Sequence, residues 1–380
     1  MHSLYGLLSA SISVLLLAGA GITTAQVIEH PIRMPAVFHD VLIYVEPVSE
    51  DGDTLRFFTD SADGTIMYQG SVDRLGLTTT SAIIQDQQQL AAFLPPMDSS
   101  HFIPPPLISD GLIPVRADDR MPPHHRVILR GGGNPGDDTR YHRNPDGNPG
   151  DGSQRAAPPE NGILGDGILG STWFAGRAWT IDFRRETFHV VPTGHVDAEQ
   201  VPPHGNGGAA GDPHHPPENP DNQEAVVSIS FYEEGDQRRY HFARLPVVVA
   251  GDTLSMVLKT GSHIVLSDEV DAELGRADEL FPAGLISESV AEDWLREHPD
   301  WRVYERADRN YGSDLIEVPE VHIGPHSAGP VHFAVRRDEA FDDWFSQFTD
   351  EPVTGALGAD AFRDAHITVN YPRSVLIFHE

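Results

Sequence analysis

Two segments of this chain recur at fixed spacing, and that restricts it to folds built from two copies of one unit. Residues 55–77 read LRFFTDSADGTIMYQGSVDRLGL, and residues 254–276 read LSMVLKTGSHIVLSDEVDAELGR. They align without a gap, 60 on 259 and 75 on 274, so the offset is 199. Each reads as an apolar strand, a polar turn, a second β-rich run and a short helical stretch ending in Leu-Gly. A second pair lies later in each half. Ile168-Leu169-Gly170 leads to Phe174, Thr180-Ile181-Asp182-Phe183 and Arg185. Ala356-Leu357-Gly358 leads to Phe362, Thr368-Val369-Asn370-Tyr371 and Arg373, at an offset of 188. Two segments agreeing in order and spacing indicate a duplicated domain.

The remaining pattern is mostly β. Short apolar, β-branched runs at 41–45, 226–232, 245–250 and 374–378 are separated by turn signals such as Asp51-Gly52 and Gly251-Asp252. Helical pattern is confined to brief stretches near 289–297 and 338–348. Two stretches rich in Gly, Pro, Asn and Asp have the composition of solvated loop, one at 131–161 and one at 197–224. The second divides the chain of 380 residues nearly in half and reads as a linker. The division expected is therefore an export signal at 1–25, a first unit at 26–196 with the loop 131–161 inside it, the linker 197–224, and a second unit at 225–380.

The export reading rests on a short apolar stretch containing Leu7, Leu8 and Val14 to Leu17, then a small residue, Ala25, at a plausible cleavage point. It implies a periplasmic or secreted protein, with an uncleaved anchor as the alternative. The stretch is short for a membrane span. With 57 acidic against 26 basic residues the formal net charge is −31, which opposes binding to nucleic acid or to an anionic membrane. There is no cysteine, so disulfides, thiolate metal sites and thiol nucleophiles are excluded.

A strand ending in a polar Asp-Ser/Thr-Gly-type turn, followed about a hundred residues later by an apolar-apolar-Gly segment, occurs here twice. In this the chain resembles the two-lobed, pepsin-like aspartic peptidases, and its individual motifs are similar to bacterial retropepsin-like proteins. The run 314–333 followed by 353–378 is especially similar to the C-terminal half of that group. The resemblance implies an all-β, bilobal pepsin-like (acid-protease) fold made of two retropepsin-like lobes. It also implies a site in which two carboxylates, one per lobe, share one proton. One acts as base toward a water while the other donates a proton to the scissile carbonyl.

Carried over residue by residue, the match is close except at one position. Asp60 and Ser61 stand where the first aspartate and hydroxyl belong, with Ala62 in place of the usual glycine. Thr260, Gly261 and Ser262 match the second turn, but Lys259 stands where its aspartate should be. Leu169, Gly170, Leu357 and Gly358 match the segments that support the turns. Lys259 is also the only lysine in the chain. If the lobes pair as the resemblance implies, an Asp60–Lys259 ion pair replaces the proton-sharing dyad, and loss of one member of such a unit costs on the order of 10³ to 10⁶ in rate.

No cofactor or metal is expected. His124-His125 and His214-His215 lie in Pro-rich stretches without a carboxylate frame, and the acidic run 131–152 lacks a calcium-ligand spacing. The expected function is that of a degenerate peptidase binding an extended peptide or a protein partner in the inter-lobe cleft. One alternative is an active aspartic-type peptidase, using Asp60 with Lys259 or through homodimerisation. Another is an envelope interaction scaffold whose cleft has no ligand, which a groove plugged by residues 85–130 would favour. The sequence does not identify the flap or the oligomeric state.

Overall fold

The computed structural model describes residues 28–84, 87–98, 100–103, 112–116, 165–193, 225–235, 237–275 and 280–379. The export signal, the loop 131–161, the linker 197–224 and the two His-His pairs lie outside these residues. Among those described, no helix is long and apolar enough to cross a membrane.

The fold is β-dominated, with three large sheets and few short helices. An eight-stranded sheet comes entirely from the first half of the chain and a nine-stranded sheet entirely from the second. A six-stranded sheet joins them. Three of its strands, Ile32–Arg33, Thr187–Val191 and Ala178–Asp182, come from the first half. The other three, His366–Asn370, Val375–His379 and Ala225–Ser228, come from the second. The halves meet where Ala178–Asp182 pairs antiparallel with His366–Asn370, Thr180 opposite Thr368.

The apolar runs lack polar alternation because both faces of the inner strands are covered. In the first half Ile43, Val45, Phe57, Met67 and Leu169 point into the main core with Trp173 and Trp179. Their strand neighbours Leu42, Tyr44, Phe58, Ile66, Tyr68 and Ile168 form a separate cluster on the opposite face. The second half repeats this division. Met256, Leu258, Ile286 and Leu357 join the main core, and Val257, Leu285 and Ala356 join a second cluster.

The gap-free alignment of the first repeat holds through the polar turn and fails after it. Phe57–Thr59 runs parallel to Gly167–Leu169, and Asp252–Leu258 runs parallel to Gly355–Leu357, as the offset of 199 requires. On the far side of each apolar-Gly strand, Ile66 lies opposite Ile168, whereas Leu285 lies opposite Ala356. Ile66 is therefore equivalent to Leu285 and not to Val265, and the offset has grown by the twenty residues from 265 to 285. The helix Gln69–Leu75 is matched by Glu288–Glu297, each following its strand directly.

The helix Asp268–Leu274, whose Leu-Gly ending produced the sequence match, belongs instead to an insert at residues 263–282. The insert leaves after Ser262 and returns at Ala283, whose amide donates to the Ser262 carbonyl at 3.2 Å. Its base is a small antiparallel pair, His263–Ile264 with Phe281–Pro282. Its helix has Asp268, Glu269 and Asp271 in the first turn and ends at Gly275 with φ 64°, a left-handed stop that glycine adopts freely. Sequence similarity failed here because a capped seven-residue helix ending in Leu-Gly was used twice for different purposes.

Candidate active site

Each turn is hung from its supporting strand by one backbone bond. The Asp60 amide donates to the Leu169 carbonyl at 3.1 Å, and the Lys259 amide donates to the Leu357 carbonyl at 2.9 Å. Gly170 is required beneath the first turn, since a Cβ there would fall 2.2 Å from the Asp63 carbonyl oxygen.

The turns then grip one another. The Ser61 hydroxyl donates to the Leu258 carbonyl at 2.7 Å and accepts from the Thr260 amide at 3.0 Å. The Ser61 amide in turn donates to the Thr260 hydroxyl at 3.1 Å. The approach is so close that a Cβ on Gly261 would sit 2.7 Å from the Asp60 Cβ and from the Thr59 carbonyl oxygen. Ala62, the departure in the first turn, faces a different environment. Its methyl is buried in the second-half cluster with Ile264, Leu266 and Phe281 of the insert, so a side chain is accommodated on that side.

The grip brings Lys259 Nζ to 2.5 Å from Asp60 Oδ2, with both side chains only 3% exposed. The second carboxylate oxygen, Oδ1, accepts from the Ala62 amide at 3.0 Å. An ammonium has donors and no lone pair, so this arrangement offers no second acceptor to activate a water. Buried charges of this kind are tolerated because they are paired. Ser262, adjoining the turn, has a buried hydroxyl with no hydrogen-bond partner.

Three further titratable groups adjoin the turns and were not singled out from the sequence. His263 Nδ1 donates to the Gly261 carbonyl at 2.7 Å, which leaves Nε2 as the acceptor nitrogen. Its ring meets Phe58 of the first half edge-on at 5.4 Å. Burial holds its pKa below the ordinary histidine range; the Gly261 carbonyl opposes this, and the charges of Asp60, Lys259 and Asp308 act on the ring. Tyr371 is fully buried with an unpartnered hydroxyl. Burial raises its pKa, Arg238 opposes that, and the charge of Asp60 adds to it.

Asp360, two residues beyond Gly358, is pushed up to about 7 by burial. Its Oδ2 accepts from the His332 amide at 3.0 Å, while its Oδ1 has no partner. Adjacency to a matched motif was the signal for His263 and Asp360, and Tyr371 lies inside the matched run 368–371, aligned with Phe183 of the first copy. A second buried ion pair, Arg336 with Asp308 at 2.6 Å, ties down the loop against which the insert packs.

Among the described residues no group of three His, Cys, Asp or Glu side chains is arranged to hold a metal ion. No family model matches the chain, and no curated protein matches it in sequence. Two solved structures are similar over most of its length. Conglutin gamma, a basic 7S globulin from lupine seeds, is 9% identical with a TM-score of 0.39, covering 92% of this chain and 95% of that one. An aspartic proteinase from Irpex lacteus is 9% identical with a TM-score of 0.41, covering 92% and 97%. TM-scores below 0.5 do not establish a shared fold, and the architecture described above rests on this chain's own strand pairing.

Proposed function

We propose that this chain is an exported, catalytically silent protein of the aspartic-peptidase-like kind that holds an extended polypeptide between its two lobes without cutting it. The observation that carries this reading is the Lys259–Asp60 contact of 2.5 Å. An ammonium stands where a second carboxylate would poise a water, while the cross-turn hydrogen bonds that shape such a site are intact. Preservation of the frame with loss of the base is what a binding role requires and a hydrolase does not. Extended-chain binding is supported by the outer strand of the eight-stranded sheet, Thr79–Ile84, which among the described residues pairs on one side only, with Gln87–Phe93. Ile83 on it is 70% exposed. A strand edge with an exposed apolar side chain recognises extended backbone by adding a strand.

The test is incubation of residues 26–380 with oxidised insulin B chain from about pH 3 to 8, beside Asp60→Asn, Lys259→Asp and Lys259→Asp/Asp60→Asn. The wild-type protein is expected to bind the peptide and leave it whole. Lys259→Asp is expected to gain acid cleavage that the double variant lacks. Cleavage by the wild type that Asp60→Asn abolishes would make the Asp–Lys site an enzyme.

A further inference from the structure

The outer strand of the eight-stranded sheet, Thr79–Ile84, carries no charge and among the described residues pairs with Gln87–Phe93 alone. Residues 77–97 contain a single charged side chain, Asp86, in a chain of which 22% is Asp, Glu, Lys or Arg. None of residues 79–93 is proline. Natural sheets guard such edges with charge or proline, because unpaired amides and carbonyls accept an added strand. The opposite edge of the same sheet, Ala36–His39, is guarded in this way. His39 bonds the Arg56 guanidinium, and Asp40, directly after the strand, pairs with Arg363.

The uncharged edge is also firmly presented. Its neighbour Gln87–Phe93 is rooted by Ala91 and Ala92, both 0% exposed, and pairs on its far side with Leu112–Arg116. Ser81 lies opposite Leu90 and Ile83 opposite Gln88. These four share one exposed face, on which Ile83 is 70% and Leu90 43% accessible.

We propose that Thr79–Ile84 is a self-recognition edge, on which a second copy of this chain adds its own Thr79–Ile84 antiparallel across a two-fold axis. Charge selects that occupant. At a net charge of −31 two copies repel over most of their surface, and contact is least opposed where both are neutral. A two-fold contact needs only one self-complementary surface, and an edge strand is complementary to itself when antiparallel. Residues opposite one another in such a pair share a face, so the axis falls on a residue, Ser81 or Ala82 at the strand's middle. Ile83 of each copy then lies beside Thr79 or Ser81 of the other, which takes part of its side chain out of water. An edge of six residues places the dimer among transient associations, with a Kd on the order of 10 µM. The pairing does not depend on the binding reading above. The two compete, because one edge holds one added strand.

The test is sedimentation velocity of residues 26–380 from about 1 to 200 µM, at low and high salt. The wild type is expected to pass from monomer to dimer over this range, and sooner in high salt, where self-repulsion is screened. Hydrogen exchange, read by peptide mass mapping, is expected to slow in 79–84 as the dimer forms. Ile83→Glu is expected to weaken association about tenfold or more, through lost burial and a like charge placed near the axis. Ser81→Glu repeats the test at a second edge position. Leu90→Glu, on the same face but one strand inward, is expected to leave association within about threefold. All three positions are exposed, so thermal midpoints should stay near that of the wild type.

A chain that stays monomeric at about 200 µM in high salt would overturn the pairing. So would a dimer indifferent to Ile83→Glu, or one that salt weakens. A dimer broken equally by Leu90→Glu would mean that hairpin faces pack together, and would overturn it too. Binding of oxidised insulin B chain is measured on the same proteins. Dimerisation without peptide binding leaves the edge pairing standing and removes the binding reading. A monomer that binds the peptide does the reverse.

Discussion

Thr180 and Thr368 face each other across the middle of the six-stranded sheet with their hydroxyl oxygens 2.7 Å apart, and they are the same position of the repeat, 188 residues apart. Like side chains meet only on an axis that exchanges the two halves. The cross-turn bonds between Ser61 and Thr260, 199 residues apart, obey the same exchange. The backbone of the two turns therefore keeps the symmetry, and the break falls at Asp60 and Lys259. Beside the second turn, the Ser262 hydroxyl is buried and unpartnered.

The two serines of the turns should consequently respond in opposite ways to loss of the hydroxyl. Ser61→Ala removes a donor and an acceptor that join the halves and strands the Leu258 carbonyl, at a cost of about 1–3 kcal/mol. Ser262→Ala removes a buried polar atom that bonds to nothing, so its effect should lie between neutral and about 1 kcal/mol stabilising. Urea unfolding midpoints of the two variants measure this directly. A Ser262→Ala as costly as Ser61→Ala would show that the Ser262 hydroxyl has a partner in solution.

The buried ion pair should be worth little as a pair and much to break. Lys259→Met alone strands a carboxylate, and Asp60→Leu alone strands an ammonium; each should cost about 3–5 kcal/mol. The double variant Asp60→Leu/Lys259→Met removes both charges and should return to within about 2 kcal/mol of the wild type. A double-mutant cycle in urea reads the coupling as the failure of the single costs to add. Additive costs would mean the two charges do not sense each other.

Much of this was legible beforehand because it depends on local chemistry. Asp60, Lys259, Ser61 and Thr260 declare themselves by turn composition and spacing, and the structure brings all four together. Leu169, Gly170, Leu357 and Gly358 lie in or directly after the strands that support the turns. The part that was not legible is long-range. Whether Val265 or Leu285 lies opposite Ala356 is decided by which strand fills the sheet, and both are apolar β-branched-rich runs followed by a helix. His263 acquires meaning only from Phe58, some two hundred residues away, and Asp360 only from the burial around it. Periodicity reports which face a side chain prefers, not which of two similar strands is chosen.

Ala62 and Gly261 are the corresponding third positions of the two turns, and they should not be interchangeable. Gly261→Ala would place a methyl 2.7 Å from backbone and from the Asp60 Cβ, where neither side can yield without separating the halves, at about 1–3 kcal/mol. Ala62→Gly gives the first turn the residue of the second yet removes a methyl that is 1% exposed and frees the unfolded chain, so it should also destabilise, by about 1 kcal/mol. Thermal unfolding of both variants tests this. A stabilising Ala62→Gly would mean that the first turn is strained by its alanine.

Two buried groups should give the pH dependence of stability opposite slopes over the same range. Asp360 is pushed up to about 7 by burial, from an ordinary value near 3.8. Below the ordinary value it is protonated in both states. As pH rises from about 4 to 7 the unfolded chain ionises it and the fold does not, so its contribution is lost with rising pH. His241 is pushed down to about 4, by burial first and by Arg238 second. It is neutral in both states above the ordinary histidine value; as pH falls from about 6.5 to 4 the unfolded chain takes up a proton that the fold refuses, so its contribution is lost with falling pH. Each effect is on the order of 3–4 kcal/mol, and His263, shifted the same way as His241, adds to the acid side. The wild type should therefore show a flat or gently acid-sensitive profile between about pH 4 and 7. Asp360→Asn should unmask steep acid sensitivity and gain stability above pH 7. His241→Gln should tilt the profile the other way, toward greater stability in acid. Unfolding free energies of the three proteins at several pH values decide it, and parallel profiles for wild type and Asp360→Asn would mean that Asp360 is ionised and solvated in the fold.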